Sequence, residues 1–318
     1  MSAPPRIFDR PALTRCRGRT ARQYAAGQIT APDFLLHRVA EDFSERLSAI
    51  KRTFASALDL GCHHGVLGVR LARDHGIAGI TYADECATML AHTPSPRLQI
   101  DLEHLPLAEA GFDLIVSGLA LQTINDLPGT LAQVQAALRP DGLFMAAVIG
   151  GSSLTELRES FLIAETEITG GASPRVAPAI DVRDLGTLLQ RANFALPVVD
   201  SDVVTVTYAH PLALMRELRA MGATNVLAER RRTCLRRDIL ARAIEIYQLR
   251  FAVPDGRIRA TFEILTATAW APHASQQKPL KPGSATARLA DALGRDRTKE
   301  LEQDRNSTKI DHALKLGA

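Results

Sequence analysis

Long apolar runs are missing from this chain of 318 residues. The longest, Gly142 to Gly151, falls far short of the roughly 20 residues that a helix needs to cross a bilayer. Cysteine is scarce too: Cys16, Cys62, Cys86 and Cys234 lie far apart with no CxxC spacing. That excludes a disulfide framework or a structural zinc and favours a reducing compartment. A charge imbalance is also lacking, since a net +3 over the chain gives no footprint for nucleic acid. The N-terminus has Arg6, Arg10, Arg15, Arg17, Arg19 and Arg22 but no apolar stretch behind them, so no secretory signal is expected. Such an Arg-rich, acid-poor start has the composition of a transit peptide, but Ile7-Phe8-Asp9-Arg10 reads as folded sequence. What remains, 46% hydrophobic and 23% charged, is the composition of a soluble globular protein.

The stretch Asp59-Leu60-Gly61-Cys62-His63-His64-Gly65 organises the rest. It follows the apolar run Phe54–Leu60 and precedes a helical pattern, Val66–Asp74, which makes a strand, a tight turn and a helix. Strand and helix then alternate. Strands are expected at Ala78–Tyr82, Leu98–Ile100, Phe112–Ser117 and Leu143–Ile149. Helices are expected at Ala87–His92 and Leu127–Leu138, and an amphipathic one over 32–50 carries Phe34, Leu35, Val39, Phe43 and Leu47. Runs apolar on both faces suit buried parallel strands, so the fold class is α/β, a doubly wound, mostly parallel seven-stranded sheet with helical C-terminal additions. After Gly151 come helices over Ser153–Thr169 and Val182–Ala192. A hairpin-like pair, Phe194–Asp200 and Val203–Tyr208, follows, then helix over 211–252 and a last strand, Thr261–Ala269. The divisions expected are an N-terminal segment (1–30), a nucleotide-binding domain (31–210), a helical extension with a final strand (211–285) and a polar tail (286–318).

The turn favours one nucleotide. A dinucleotide site wants Gly-x-Gly-x-x-Gly, and here His63 stands at the middle position, where it obstructs a pyrophosphate. Asp59 would also set a carboxylate beside phosphates. S-adenosylmethionine (SAM) has no phosphate and brings a cationic sulfonium, which an acid favours. Asp84 ends the second strand and can accept both ribose hydroxyls. Asp101 follows the third and can accept from the adenine amino group, with Leu102 packing on the ring. Each Asp alone could be a turn or cap residue; three at the ends of successive strands point to a nucleoside.

Asp59-x-Gly61-x-x-x-Gly65, Asp84-x-x-x-x-Met89-Leu90, Leu105-Pro106, Phe112–Ser117 and Leu138-Arg139-Pro140-Asp141-Gly142 resemble the landmarks of class I SAM-dependent methyltransferases. A narrower resemblance runs nearly the whole length. It is carried by Ile7–Arg10, Asn125-Asp126-Leu127-Pro128, Gly150-Gly151-x-x-Leu154-x-Glu156-Leu157-Arg158 and Gly170-Gly171-x-Ser173-Pro174. Asp184-Leu185-Gly186, Met221-Gly222-x-x-Asn225, Trp270-x-x-His273-x-Ser275-Gln276 and Gly283-Ser284-Ala285 extend it. These motifs are similar to those of the respiratory complex I assembly factor 5 family, known as arginine hydroxylases or methyltransferases. The resemblance implies SAM as cofactor and a complex I subunit as protein partner, with an arginine hydroxylated or methylated during assembly. It implies a cytoplasmic location in bacteria, with peripheral contact at the inner membrane, and the mitochondrial matrix in eukaryotes. The chain departs from the family at His63 and at Gln122-Thr123, where relatives carry His-Trp.

The cofactor set is therefore expected to be Asp59, Gly61, His63, Gly65, Asp84, Asp101, Leu102 and Ser117. No catalytic residue and no metal ligand is assigned. Gln122, Glu156, Arg158 and Ser173 are candidates for the substrate side, Trp270 and His273 for closing it, and Arg230–Arg232 with Arg236-Arg237, on a helix, for docking to an acidic partner or a membrane surface. Two other functions fit the generic motifs: a small-molecule or carrier-protein O-methyltransferase, and a non-catalytic assembly chaperone.

Overall fold

A computed structural model describes residues 6–29 and 34–277. The apolar runs of the first half become β1 (Ser56–Leu60), β2 (Gly79–Asp84), β3 (Arg97–Gln99), β4 (Phe112–Gly118) and β5 (Leu138–Ile149). These pair in parallel, and β6 (Ala195–Tyr208) and β7 (Ile258–Trp270) complete a seven-stranded sheet of order β3-β2-β1-β4-β5-β7-β6. β7 runs antiparallel to both its neighbours. The sheet is thus mostly parallel and Rossmann-like.

Helices cover both faces, as strands apolar on two sides require. One face buries Leu35, Val39 and Phe43 of α2 (Phe34–Ser48), Leu67 and Leu71 of α3 (Val66–His75), and Leu157 and Phe161 of α6 (Thr155–Thr169). α8 (Pro211–Ala220) and α9 (Arg237–Phe251) extend that layer through Leu214, Leu218 and Tyr247. The other face receives Leu131 and Val134 of α5 (Leu127–Ala137) and Leu185 and Leu189 of α7 (Val182–Arg191). Each such leucine, fully buried, contributes about 1.5–3 kcal/mol.

Three expectations change. The expected hairpin is one continuous strand, β6, whose partner is β7; the polar Ser201-Asp202 between the two segments stays in register with Leu265 and Ile264 instead of turning. The last strand, β7, spans the expected Thr261–Ala269 and is internal to the sheet, lying between β5 and β6 although it begins 50 residues after β6 ends at Tyr208. Residues 221–236 are irregular rather than helical. Arg230 to Arg232 and Arg236 thus lie off any helix, and Arg230 bonds Asp9 at 2.8 Å, tying this loop to the N-terminal segment. Finally, Pro140-Asp141-Gly142 does not end at a strand boundary but sits within β5, where the register against β4 shifts between Phe112 and Leu114.

The segment before the sheet contains a helix that periodicity did not announce, α1 (Arg10–Ala25). Asp9 caps it, accepting from the Ala12 N–H at 3.0 Å, with Pro11 in the first turn. The described residues up to His273 belong to one compact unit. Gly283-Ser284-Ala285 and the polar tail expected from 286 lie outside the described residues.

Candidate cofactor and substrate site

The carboxyl edge of the parallel strands gathers most of the expected residues. Register places Leu60 beside Ala83 and Asp84 beside Gln99, so the three acid-bearing strand ends step across adjacent strands. The first turn closes by the Gly61 and Cys62 N–H groups donating to the Ala83 carbonyl at 2.8 and 3.0 Å. Gly61 takes φ +70°, and a Cβ there would stand 2.2 Å from that of Ala120. Glycine alone meets both demands. Gly65 repeats this at φ +81° as the residue before α3.

His63 occupies the middle glycine position with the backbone that a glycine would adopt, φ +51°. Its N–H donates to Asp84 Oδ2 at 3.1 Å, and its ring Nε2 lies 3.3 Å from the Leu119 carbonyl. Those contacts offset the strain of a left-handed residue, which is on the order of 1–2 kcal/mol. Burial, and then the charge of Arg17, pull the imidazole down to about 4, so it is neutral at physiological pH. Burial pushes the Cys62 thiol up, which leaves it a turn residue and not a nucleophile.

The acids differ sharply. Asp59 is fully buried; its Oδ2 accepts from the Gly68 N–H at 2.9 Å, and its Oδ1 has no partner. Burial, with Asp84 nearby, pushes its carboxyl up to about 7. Asp84, equally buried, accepts from Cys86 N–H at 2.8 Å through Oδ1. Asp101 is exposed, beyond the end of β3, and turns back onto the Glu103 N–H at 2.9 Å. Leu102 is fully buried beside it. Ser117 sits apart: its hydroxyl donates to the Leu60 carbonyl at 2.7 Å inside the sheet, tying β4 to β1 with no face toward a ligand. Gly68 backs the turn, and Gly68→Ala would put its Cβ 2.6 Å from the Tyr82 ring and 2.9 Å from Asp59 Oδ2. Overpacking of that kind is expected to cost about 2–3 kcal/mol, read by urea denaturation.

Three cavities follow this edge. An open depression of about 440 Å³ lies against Glu85, Ile100 and Asp101. A pocket of about 100 Å³ lies against His63, Met89 and Leu119. The third, about 210 Å³, is mostly apolar, lined among others by Phe8, Leu154, Leu157, Val226 and Phe262, with Arg158 and Arg175. Leu35, Gln122, Ile149, Met221 and Ala223 line both of the last two, so the one opens beside the other. Gln122 and Arg158 therefore face this space. Glu156 and Ser173 do not: Glu156 is buried and accepts from the Thr261 hydroxyl at 2.6 Å, while Ser173 donates to Glu165. Trp270 pairs with Leu143, six residues back along β5 from Ile149, and packs on Arg52, so it closes nothing here.

The residues present fit SAM. The turn is a cradle that a Cβ would fill, the strand-end acids suit a ribose and a cation, and a buried carboxylate oxygen stands without a partner. Sequence reasoning missed α1, which lays Arg10 into the acidic group of Glu85, Asp101 and Glu103 and buries Arg17 above the turn. The capping pair Asp9 and Pro11 was the available signal. Among the described residues no group of three or more His, Cys, Asp or Glu could hold a metal ion, and no helix is long and apolar enough to cross a membrane.

Comparison with known proteins agrees with this geometry. A family model described as a methyltransferase domain matches residues 58–146. "Arginine-hydroxylase NDUFAF5, mitochondrial" of Danio rerio is 39% identical over 292 residues, 90% of this chain and 89% of that protein. "Malonyl-[acyl-carrier protein] O-methyltransferase" of Methylovorus sp. is 31% identical over 285 residues, 85% of this chain and 94% of its own. A solved structure from Bacillus halodurans shares the fold at a TM-score of 0.51 and 14% identity, covering 73% of this chain and 98% of its own.

Proposed function

The chain belongs to the NDUFAF5 family of class I SAM-dependent methyltransferase fold, and from that premise we propose that it binds SAM at the β1–β2–β3 edge and modifies an arginine on a subunit of respiratory complex I during assembly. The likeness across nine-tenths of the chain, well beyond the nucleotide half, carries this reading. Asp84 would hold the ribose hydroxyls, Asp101 and Leu102 the adenine, and Asp59 the cationic end, with Gly61 and Gly65 allowing the close approach. Bound SAM would supply an electrophilic methyl group; the chain's own work is to position the acceptor in line through the Gln122–Ile149 opening and to exclude water with Phe8, Leu157 and Phe262. The partner would meet the mouth of that cavity, and the exposed Arg231-Arg232 loop would face an acidic protein or the inner-membrane surface.

Intact-mass measurement of complex I subunits from cells with and without this chain tests the reading. Loss of one oxygen's mass means hydroxylation, and loss of one methylene's mass means methylation. No change in any subunit overturns it and leaves an assembly chaperone. For the cofactor, Asp84→Asn keeps an acceptor for the Cys86 N–H but puts an amide N–H2 donor where the carboxylate oxygen faced the His63 N–H and would face a ribose. Calorimetry should show its SAM affinity at least tenfold weaker with the fold intact; unchanged affinity removes the ribose assignment.

One observation favours a second reading. The 210 Å³ cavity is lined by Arg158 and Arg175 and by no acid. A guanidinium gains nothing there, whereas an acyl group ending in a carboxylate does. Methyl ester formation on a malonyl carrier protein, the activity in the name of the Methylovorus relative, is the corresponding assay.

A further inference from the structure

Arg17 is the one buried cation among the described residues, 5% exposed. Its surroundings are built. On one side the loop after α8 fixes it: a Cβ on Gly222, which takes φ +76°, would stand 3.6 Å from Arg17 Cα and Cγ. On the other, α1 packs on α4 (Ala87–Leu90), with Ala21, Cys86 and Met89 forming a closed cluster. Thr20, one turn from Arg17, lines the same small pocket as His63 and Met89. Arg17 Nη1 is buried and has no hydrogen-bond partner.

No carboxylate answers that charge, though acids are near. Arg17 and Asp84 both act on the His63 ring and the Cys62 thiol, so the two groups flank the same turn without pairing to each other. An unmet buried charge costs several kcal/mol. It is retained where a ligand brings the opposite charge. The turn itself carries acid, at Asp59 and Asp84, and would repel an anion; only Arg17 can receive one. Arg10, the other cation of α1 at this edge, is already engaged with Glu85, Asp101 and Glu103.

Resting on the SAM reading above, we propose that Arg17 receives the carboxylate at the amino acid end of the cofactor, so that α1 completes the site and selects the intact α-amino acid nucleoside over its carboxylate-free fragments. The cofactor then spans from Asp84 at the ribose to Arg17 at the carboxylate, across the turn at His63. Arg17 acts as a specificity-determining residue and takes no part in the transfer.

Calorimetry with two probes tests this: S-adenosylhomocysteine, which has the carboxylate, and methylthioadenosine, which lacks it. In Arg17→Met the first should bind on the order of 30- to 100-fold more weakly, while the second changes by no more than about twofold. Arg17→Lys should recover part of the loss. The Met variant should melt no lower than the parent, since it removes an unmet charge. Equal weakening of both probes with a lowered melting temperature would make Arg17 merely structural, and undiminished binding of S-adenosylhomocysteine to Arg17→Met would refute the assignment outright. If the parent binds neither probe, the SAM reading itself falls and this inference with it; if it binds both and Arg17 is indifferent, only the inference falls.

Discussion

Asp59→Asn should make the protein more stable at pH 8, by roughly 4 kcal/mol, with the advantage shrinking to nothing near pH 4. The sign follows from the buried carboxyl. Its folded value, about 7, lies above the ordinary 3.8, so the native state holds a proton that the unfolded chain has already released. Stability therefore falls as pH rises between those values and levels off above the higher. His63 works oppositely over part of the range: its folded value near 4 means that stability is lost as pH falls below the ordinary imidazole value. Both proteins share that histidine, so the difference between them isolates Asp59. Melting curves of the pair across pH 4–8 read it directly, and parallel curves would refute the assignment. The gain should come with a functional loss, as stabilising changes at working sites often do. A sulfonium or ammonium near Asp59 favours its ionised form. SAM affinity of the parent should then climb about tenfold from pH 6 to pH 8, and that slope should vanish in the Asn variant.

Glu165→Ala is expected to cost about 3–5 kcal/mol. Glu165 is 1% exposed and gathers three partners: the Ser173 N–H at 2.7 Å, the Ser173 hydroxyl, and the Arg175 guanidinium, which also lies over the Phe161 ring. Those partners hold its carboxyl below the usual range, opposing the desolvation that raises it. Removal leaves a half-buried Arg175 without its counterion and frees the segment that walls the apolar cavity from Arg175 to Ala179. Chemical denaturation measures the stability, and binding of SAM should survive, because the cofactor edge lies across the sheet end from this wall. Loss of SAM binding in a folded Glu165→Ala protein would show that the two cavities are coupled more tightly than their shared lining implies.

The parallel half was legible because two signals coincide there. Apolar runs such as Phe112–Ser117 can only be buried strands when glycines and amphipathic helices punctuate them, and their order fixes which carboxyl ends meet. That placed Asp59, Asp84 and Asp101 on one edge. Ser117 was misread for a local reason: at a strand end a hydroxyl can face a ligand or a neighbouring strand, and the sequence does not say which. The second half was less legible since β6 carries Val198 and Val203 exposed, an alternation equally compatible with a hairpin. Its true partner is distant in sequence, and no local pattern reports that. α1 escaped notice because its apolar stripe is thin; Ala12, Gly18 and Ala21 bury by being small, and Arg17 buries for a reason outside the helix.

The place of β7 has a consequence during synthesis. Among the described residues β6 pairs with no strand but β7, which alone joins it to β5. Until residues 258–270 leave the ribosome, β5 presents an apolar open edge and β6 has nowhere to dock. From the end of β5 at Ile149 until β7 is made, the nascent chain thus carries an unsatisfied sheet edge, the condition under which edge-to-edge association competes with folding. Emergence of β7 is the event that closes the sheet and removes that hazard.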